Sequence, residues 1–193
     1  ADLSGVNLTG TILRGADLSN TILTGVDLSG KDLSHTVLTG VDLSGMDLTG
    51  TILVGIDLSD VDITDTILTG ADLSNTILTG VDLSGKDLTG TMLRGANLTD
   101  SNLVGADLSG KDLSGTILWK VKLLDANLAS ANLTNADLRD TLLVDAYLSN
   151  TTLTGSDLTG AVLTGAILTG ADLENAVLTN AILNCVGHPI CVI

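Results

Sequence analysis

No phenylalanine occurs in the 193 residues, and Trp119 and Tyr147 are the only aromatics. A globular core anchored on aromatic rings is therefore excluded, and any core must be aliphatic. Proline is absent before Pro189, as suits a chain whose backbone N–H groups are needed in a hydrogen-bonded ladder. Basic residues are scarce: 8 Lys and Arg stand against 23 Asp and Glu, a net charge of −15. That balance argues against direct nucleic-acid binding, which needs clustered cations for the phosphates, and against docking on an anionic membrane. Apolar residues never run together long enough to insert in a bilayer as a helix. Histidine is limited to His35 and His188, too far apart to join in one nucleophile–base–orienter set. The chain reads as non-enzymatic, with no catalytic, cofactor-binding or metal residues assigned and no cofactor implied.

What the chain does contain is a repeat. A period of five runs from Ala1 to Cys185 without insertion, giving 37 units. The third residue of each unit is Leu, except Ile63. The first is mostly Ala, Thr or Val, the second mostly Asp or Asn, and the fourth mostly Ser or Thr. The fifth is Gly in 21 units, Asn in 6 and Asp in 6, leaving His35, Lys120, Ser130 and Cys185 as exceptions. Those are residues that tolerate positive φ, so the chain is expected to turn a corner every five residues. Between corners, alternation places one small side chain and one Leu inward and the second residue outward. Neither a helix of 3.6 residues per turn nor a long strand fits this period.

Strings such as Ala16-Asp17-Leu18-Ser19-Asn20 and Ala71-Asp72-Leu73-Ser74-Asn75 resemble the A(D/N)LXX motif of pentapeptide-repeat proteins. The resemblance implies an all-β fold, a right-handed quadrilateral β-solenoid with four units per coil, so that residues 20 apart stack. About nine coils at about 4.8 Å spacing make a rod about 44 Å long. Residues 1–185 would form the β-helix and residues 186–193 a capping tail. Residues 16–33 recur unchanged at 71–88, a displacement of eleven units and not of whole coils. The unit that was copied is therefore the pentapeptide, and every side of the solenoid accepts the same inward pattern.

Stacking by 20 sorts the outward residues into columns. Asp42, Asp62 and Asp82 share one face and Asp27 and Asp47 the next, and residues 1–100 hold 14 acids against 4 bases. Gyrase-interacting members of the family are understood as acidic rods resembling duplex DNA, so one expectation is a DNA-mimic regulator of a topoisomerase. The plainer reading is a solvated, solubilising surface. Toward the C-terminus the same face carries Leu142, Val162 and Ile182 with Val104, Leu124 and Val144, and its neighbour adds Tyr147 and Ile167. A continuous apolar patch of that kind marks a contact surface. Trp119 and Lys120 lie at the corner leading into it, with Arg139 one coil beyond and in expected cation–π reach of Trp119. Lys31, Lys86 and Lys111 take the small inward position and are expected to extend along a corner to solvent or a neighbouring Asp.

Residues 184–193, Asn-Cys-Val-Gly-His-Pro-Ile-Cys-Val-Ile, leave the repeat. Val186, Ile190, Val192 and Ile193 can form an apolar lid over the last coil. Cys185 and Cys191 allow a disulfide, a three-ligand metal site with His188, or free thiols. The cysteine pair, with a chain that starts in register at Ala1 without Met, leans toward an exported compartment: periplasm, lumen or extracellular space. The function expected is a protein-interaction or structural scaffold, self-associating through the C-terminal apolar faces. The alternatives are the topoisomerase regulator and an extracellular fibre unit. The partner is a protein or a second copy of the chain.

Overall fold

The computed structural model describes residues 1–191. They form a four-sided solenoid. Face 1 takes residues 1–5, 21–25 and onward at intervals of 20 to 181–185; face 2 runs from 6–10 to 166–170, face 3 from 11–15 to 171–175, and face 4 from 16–20 to 176–180. Every described β-bridge is parallel, and all but one join second-position residues 20 apart, such as Asp42 with Asp62 and Ile117 with Asp137. The last differs: Ile167 pairs with Val186, 19 residues on, so the first residue of the tail still belongs to the face 2 ladder.

Each strand is only a bridge long because the corners leave no room for more, and the backbone accounting shows why five residues suffice. In the unit 96–100, Ala96 N–H donates to the Leu93 carbonyl at 3.0 Å, Asn97 N–H to Thr76 in the coil before at 2.9 Å, and Leu98 N–H to Ile117 in the coil after at 2.7 Å. Asp100 N–H reaches Trp119 at 2.9 Å, also in the coil after. The fourth N–H, that of Thr99, has neither a ladder nor a turn partner. It donates to Oδ1 of Asn97 at 3.1 Å. This Asx turn recurs in all 21 units whose second residue is Asp or Asn. The outward Asp is thus a backbone-satisfying group as well as a surface charge.

The corners are turns with positive φ at the fifth residue, from +63° to +74° at the repeat glycines and from +52° to +59° at Asn, Asp, His35, Lys120 and Ser130. Asp60 and Cys185, also at corner positions, lie outside this region. The stacked glycines reflect close packing between coils: a Cβ added at Gly155 would sit 2.5 Å from Oδ1 of Asn135, whose side chain lies over it.

Inside, the central Leu residues of successive coils stack in four columns, and those from Leu28 to Leu168 are almost wholly buried. Each contributes about 1.5–3 kcal/mol of transfer free energy before entropy is subtracted. The first-position residues fill the corners between columns, and inward Thr hydroxyls return to turn carbonyls, as Thr116 Oγ1 does to Leu113 at 2.7 Å.

Two of the three first-position lysines, Lys86 and Lys111, differ from expectation. Lys86 Nζ donates to the carbonyls of Ile63 at 2.8 Å and Thr66 at 3.3 Å. Lys111 Nζ does the same to Leu88 at 2.6 Å and Thr91 at 3.2 Å. The ammonium therefore ends on turn carbonyls of the preceding coil rather than on an Asp, because its stem lies over the Thr 20 residues earlier. Burial pushes the Lys111 ammonium below the ordinary lysine range, partly offset by Asp107 and Asp87.

Candidate interaction surface

The apolar residues singled out from the sequence fall on two adjoining faces. On face 1 the ladder Lys122–Leu142–Val162–Ile182 is continuous, flanked by the fourth-position column Val104, Leu124 and Val144. On face 2 it runs Asn127–Tyr147–Ile167–Val186. Tyr147 is 50% exposed and Val186 54%; Val104 and Ile182 are exposed, while Leu124, Leu142, Val144, Val162 and Ile167 are half-buried. Their partial burial is mutual, since side chains one strand spacing apart cover each other's flanks. Val186 was missed by counting in steps of 20; its signal lies in the end of the five-residue period at Cys185, after which the ladder shortens by one.

At the corner leading into face 1, Trp119 is half-buried. Its indole N–H donates to Oδ2 of Asp140 at 3.1 Å, and Lys120 Nζ lies 4.3 Å from the ring centroid. The cation over the ring is thus Lys120 and not Arg139, because Arg139 is held elsewhere: its Nε and Nη2 grip both oxygens of Asp137 at 2.7 and 2.6 Å. This bidentate pair holds the Asp137 carboxyl below the usual carboxylate range and raises the Arg139 guanidinium.

The acidic columns occupy the other end of the same two faces. Asp42, Asp62 and Asp82 stand on face 1 and Asp27 and Asp47 on face 2. Hydroxyl and backbone donors two residues on hold Asp27, Asp47, Asp62 and Asp82 below the usual carboxylate range: Ser29, Thr49, Thr64 and Ser84. Asp2, Asp17, Asp32, Asp87, Asp107 and Asp112 are lowered for the same reason. A carboxylate depressed in the folded state contributes stability that is present above its unfolded pKa of about 3.9 and is lost as pH falls through the folded value. The melting temperature is therefore expected to hold from pH 7 to about 5 and to fall below about 4 in calorimetry. A rise on acidification would mean that relief of the −15 self-repulsion outweighs loss of the Asx bonds.

At the C-terminal end Cys185 and Cys191 form a disulfide, S–S 2.07 Å with Cα atoms 4.9 Å apart. Both sulfurs are committed, so the trio with His188 offers no thiolate to a metal, and His188 Nδ1 accepts the Ile190 N–H at 3.2 Å. Cys185 is buried and Cys191 packs on the core. Of the expected lid residues, Val186 is in the ladder, Ile190 is half-buried, and Val192 and Ile193 lie outside the described residues. Among the described residues no group of three or more His, Cys, Asp or Glu is arranged to hold a metal ion. Among them also, no helix is long and apolar enough to cross a membrane.

The family described as Pentapeptide repeats matches in 8 copies, over residues 1–40, 23–55, 42–80, 56–91, 78–110, 112–143 and 141–180. Its solved members are right-handed quadrilateral β-helices, the architecture found here. Among solved structures, the chain is similar to HetL, a pentapeptide repeat protein involved in heterocyst differentiation regulation from the cyanobacterium Nostoc sp. strain PCC 7120, at 29% identity and TM-score 0.50, covering 97% of this chain and 90% of that one. It is also similar to QnrB1, a plasmid-mediated fluoroquinolone resistance protein, at 25% identity and TM-score 0.55, covering 85% of this chain and 82% of that one. No curated protein matches the chain.

Proposed function

This chain belongs to the pentapeptide-repeat family, and from that premise we propose that it is a non-enzymatic interaction scaffold that engages protein through the apolar C-terminal part of faces 1 and 2, its first partner being a second copy of itself. The observation that carries this is the replacement, along two continuous ladders, of Asp by Leu142, Val162 and Ile182 and by Tyr147, Ile167 and Val186. Elsewhere exposed apolar residues are separated by Asp or Asn from one coil to the next; here they adjoin. Trp119 and Tyr147, the chain's only aromatics, sit at or on this surface, as aromatic anchors do at binding hot spots.

The test is light-scattering mass on a sizing column for the wild type and for Leu124→Lys with Val162→Lys. The wild type is expected to run as a dimer or larger and the folded double variant as a monomer. A wild-type monomer would reject self-association.

A second reading rests on the acidic columns and on the likeness to QnrB1, a fluoroquinolone resistance protein: an acidic rod that occupies a DNA site on a topoisomerase. Inhibition of gyrase supercoiling at low protein concentration would favour it over a purely structural scaffold.

A further inference from the structure

Face 4 carries a second regularity. Its outward column reads Asp17, Val37, Asp57, Ile77, Asn97, Ile117, Asp137, polar and apolar in strict alternation over seven coils. The parallel bridge Asp17–Val37 and the unbroken run Asp57–Ile77–Asn97–Ile117–Asp137 place these residues on one face, with no described bridge between Val37 and Asp57. Beside them stand only small residues, Ser19, Thr39, Ser59, Thr79 and Thr99, until Trp119 next to Ile117. The result is a flat face crossed by three apolar ridges, Val37 at 46% exposure, Ile77 at 40% and Ile117 at 39%, two coils or about 9.6 Å apart. Face 3 alternates in the opposite phase, Ile12, Asp32, Ile52, Asp72, Met92, Asp112, but Arg14 and Arg94 stand beside its ridges. Along this track face 4 carries Asp17, Asp57, Asp60 and Asp100, and its one cation is Lys120 at the last corner, held over the Trp119 ring.

Two of the polar positions, Asp17 and Asp57, can accept charge, while Asn97 between Ile77 and Ile117 is neutral. Oδ1 of Asp17 takes the Ser19 N–H at 2.9 Å and Oδ1 of Asp57 the Ser59 N–H at 3.0 Å. Oδ2 of each has no hydrogen-bond partner among the described residues and is open to a donor. A partner must therefore present cations and apolar groups in turn with a repeat near 9.6 Å. A polyproline-II helix rises about 3.1 Å per residue with three residues per turn, a repeat of about 9.3 Å. Its mismatch stays below about 1 Å over three turns. An α-helix repeats its face over seven residues at about 10.5 Å, and a strand presents one face every about 6.6 Å; both lose register. Proline-rich segments also dock on aromatic-bearing surfaces, and Trp119 stands at the end of this track. A second copy laid face 4 to face 4 does not fit, because it would set Asp17, Asp57, Asp60 and Asp100 against the same carboxylates.

We propose that face 4, from Asp17 to Trp119, is a docking track for a cationic polyproline-II segment, with Lys or Arg at every third residue over the polar positions, paired with carboxylates at Asp17 and Asp57, and prolines against Val37, Ile77 and Ile117. This surface is separate from the C-terminal apolar faces.

The probe is the 12-residue peptide (Lys-Pro-Pro)4, titrated at physiological salt while following peptide anisotropy and the fluorescence of Trp119, the only tryptophan. Saturable binding with a change in Trp119 emission is expected, and (Lys-Gly-Gly)4, with the same charge on a flexible chain, is expected to bind at least about tenfold more weakly. The deciding variant is Val37→Asp with Ile77→Asp. Asp is the commonest residue at this position, so the fold is preserved, and light-scattering mass and melting temperature confirm it. A purely electrostatic attraction would strengthen with two added carboxylates, whereas loss of the ridges weakens binding about tenfold or more. The proposal is overturned if the peptide does not bind, if (Lys-Gly-Gly)4 binds equally, or if the Asp variant binds as tightly as the wild type.

Discussion

Leu98→Asp is expected to leave no cooperative folded state spanning the middle of the rod, and Leu98→Ala to lower unfolding free energy by about 2–5 kcal/mol. Leu98 is wholly buried, stacked between Leu78 and Leu118, which are equally buried. A carboxylate there would stand among aliphatic columns with no donor, a burial that costs far more than the lost transfer energy. The solenoid geometry enlarges the effect. Each coil contacts only its two neighbours, so stability is a sum of coil and interface terms, and one failed coil removes two interfaces at once. Denaturant unfolding followed by circular dichroism reads this directly. Unchanged midpoints for Leu98→Ala would contradict a core made of stacked Leu columns. An outward substitution in the same region, such as Ile117→Thr, should remain within about 0.5 kcal/mol.

How far the sequence carries this picture depends on whether a residue's role is set by its own unit or by the coil beside it. The corners were legible because Gly, Asn and Asp recur where positive φ is needed, and the Leu columns because one position never varies except at Ile63. The cysteine pair was legible as a set of alternatives, and geometry chose the disulfide. The partners of Lys86 and Lys111 were not, because their ammonium groups bond to carbonyls 20 and 23 residues earlier, a relation that exists only after coiling. Trp119 was placed correctly at its corner and given the wrong cation: Arg139 is drawn back to Asp137 two residues before it, a local pairing that outcompetes a contact across coils. The role of the second-position Asp was also hidden behind its charge. Its signal was present in the interchange of Asp with Asn and in the Ser or Thr that follows two residues later, both marks of an Asx turn.

That double role separates charge from fold, and the separation is testable on one column. Asp42, Asp62 and Asp82 accept the N–H groups of Ser44, Thr64 and Ser84 at 2.8, 2.9 and 2.9 Å. Replacing all three by Ala leaves three backbone donors on the solvent side of the turn to water alone and is expected to lower the melting temperature measurably. Replacing all three by Asn keeps the Oδ1 acceptor, as Asn102 already does in the same column for Val104 at 3.2 Å. The Asn variant should therefore melt close to the wild type at pH 7, lose part of the acid sensitivity below about pH 4, and carry a net charge reduced from −15 by three. If the Ala and Asn variants lose equal stability, the Asx bonds are not what the Asp residues supply, and direct charge effects hold the column together instead. If the Asn variant is stable and the wild type inhibits gyrase, loss of inhibition in the Asn variant assigns that activity to the carboxylates. Retained inhibition would show that the acidic columns serve only the backbone beneath them.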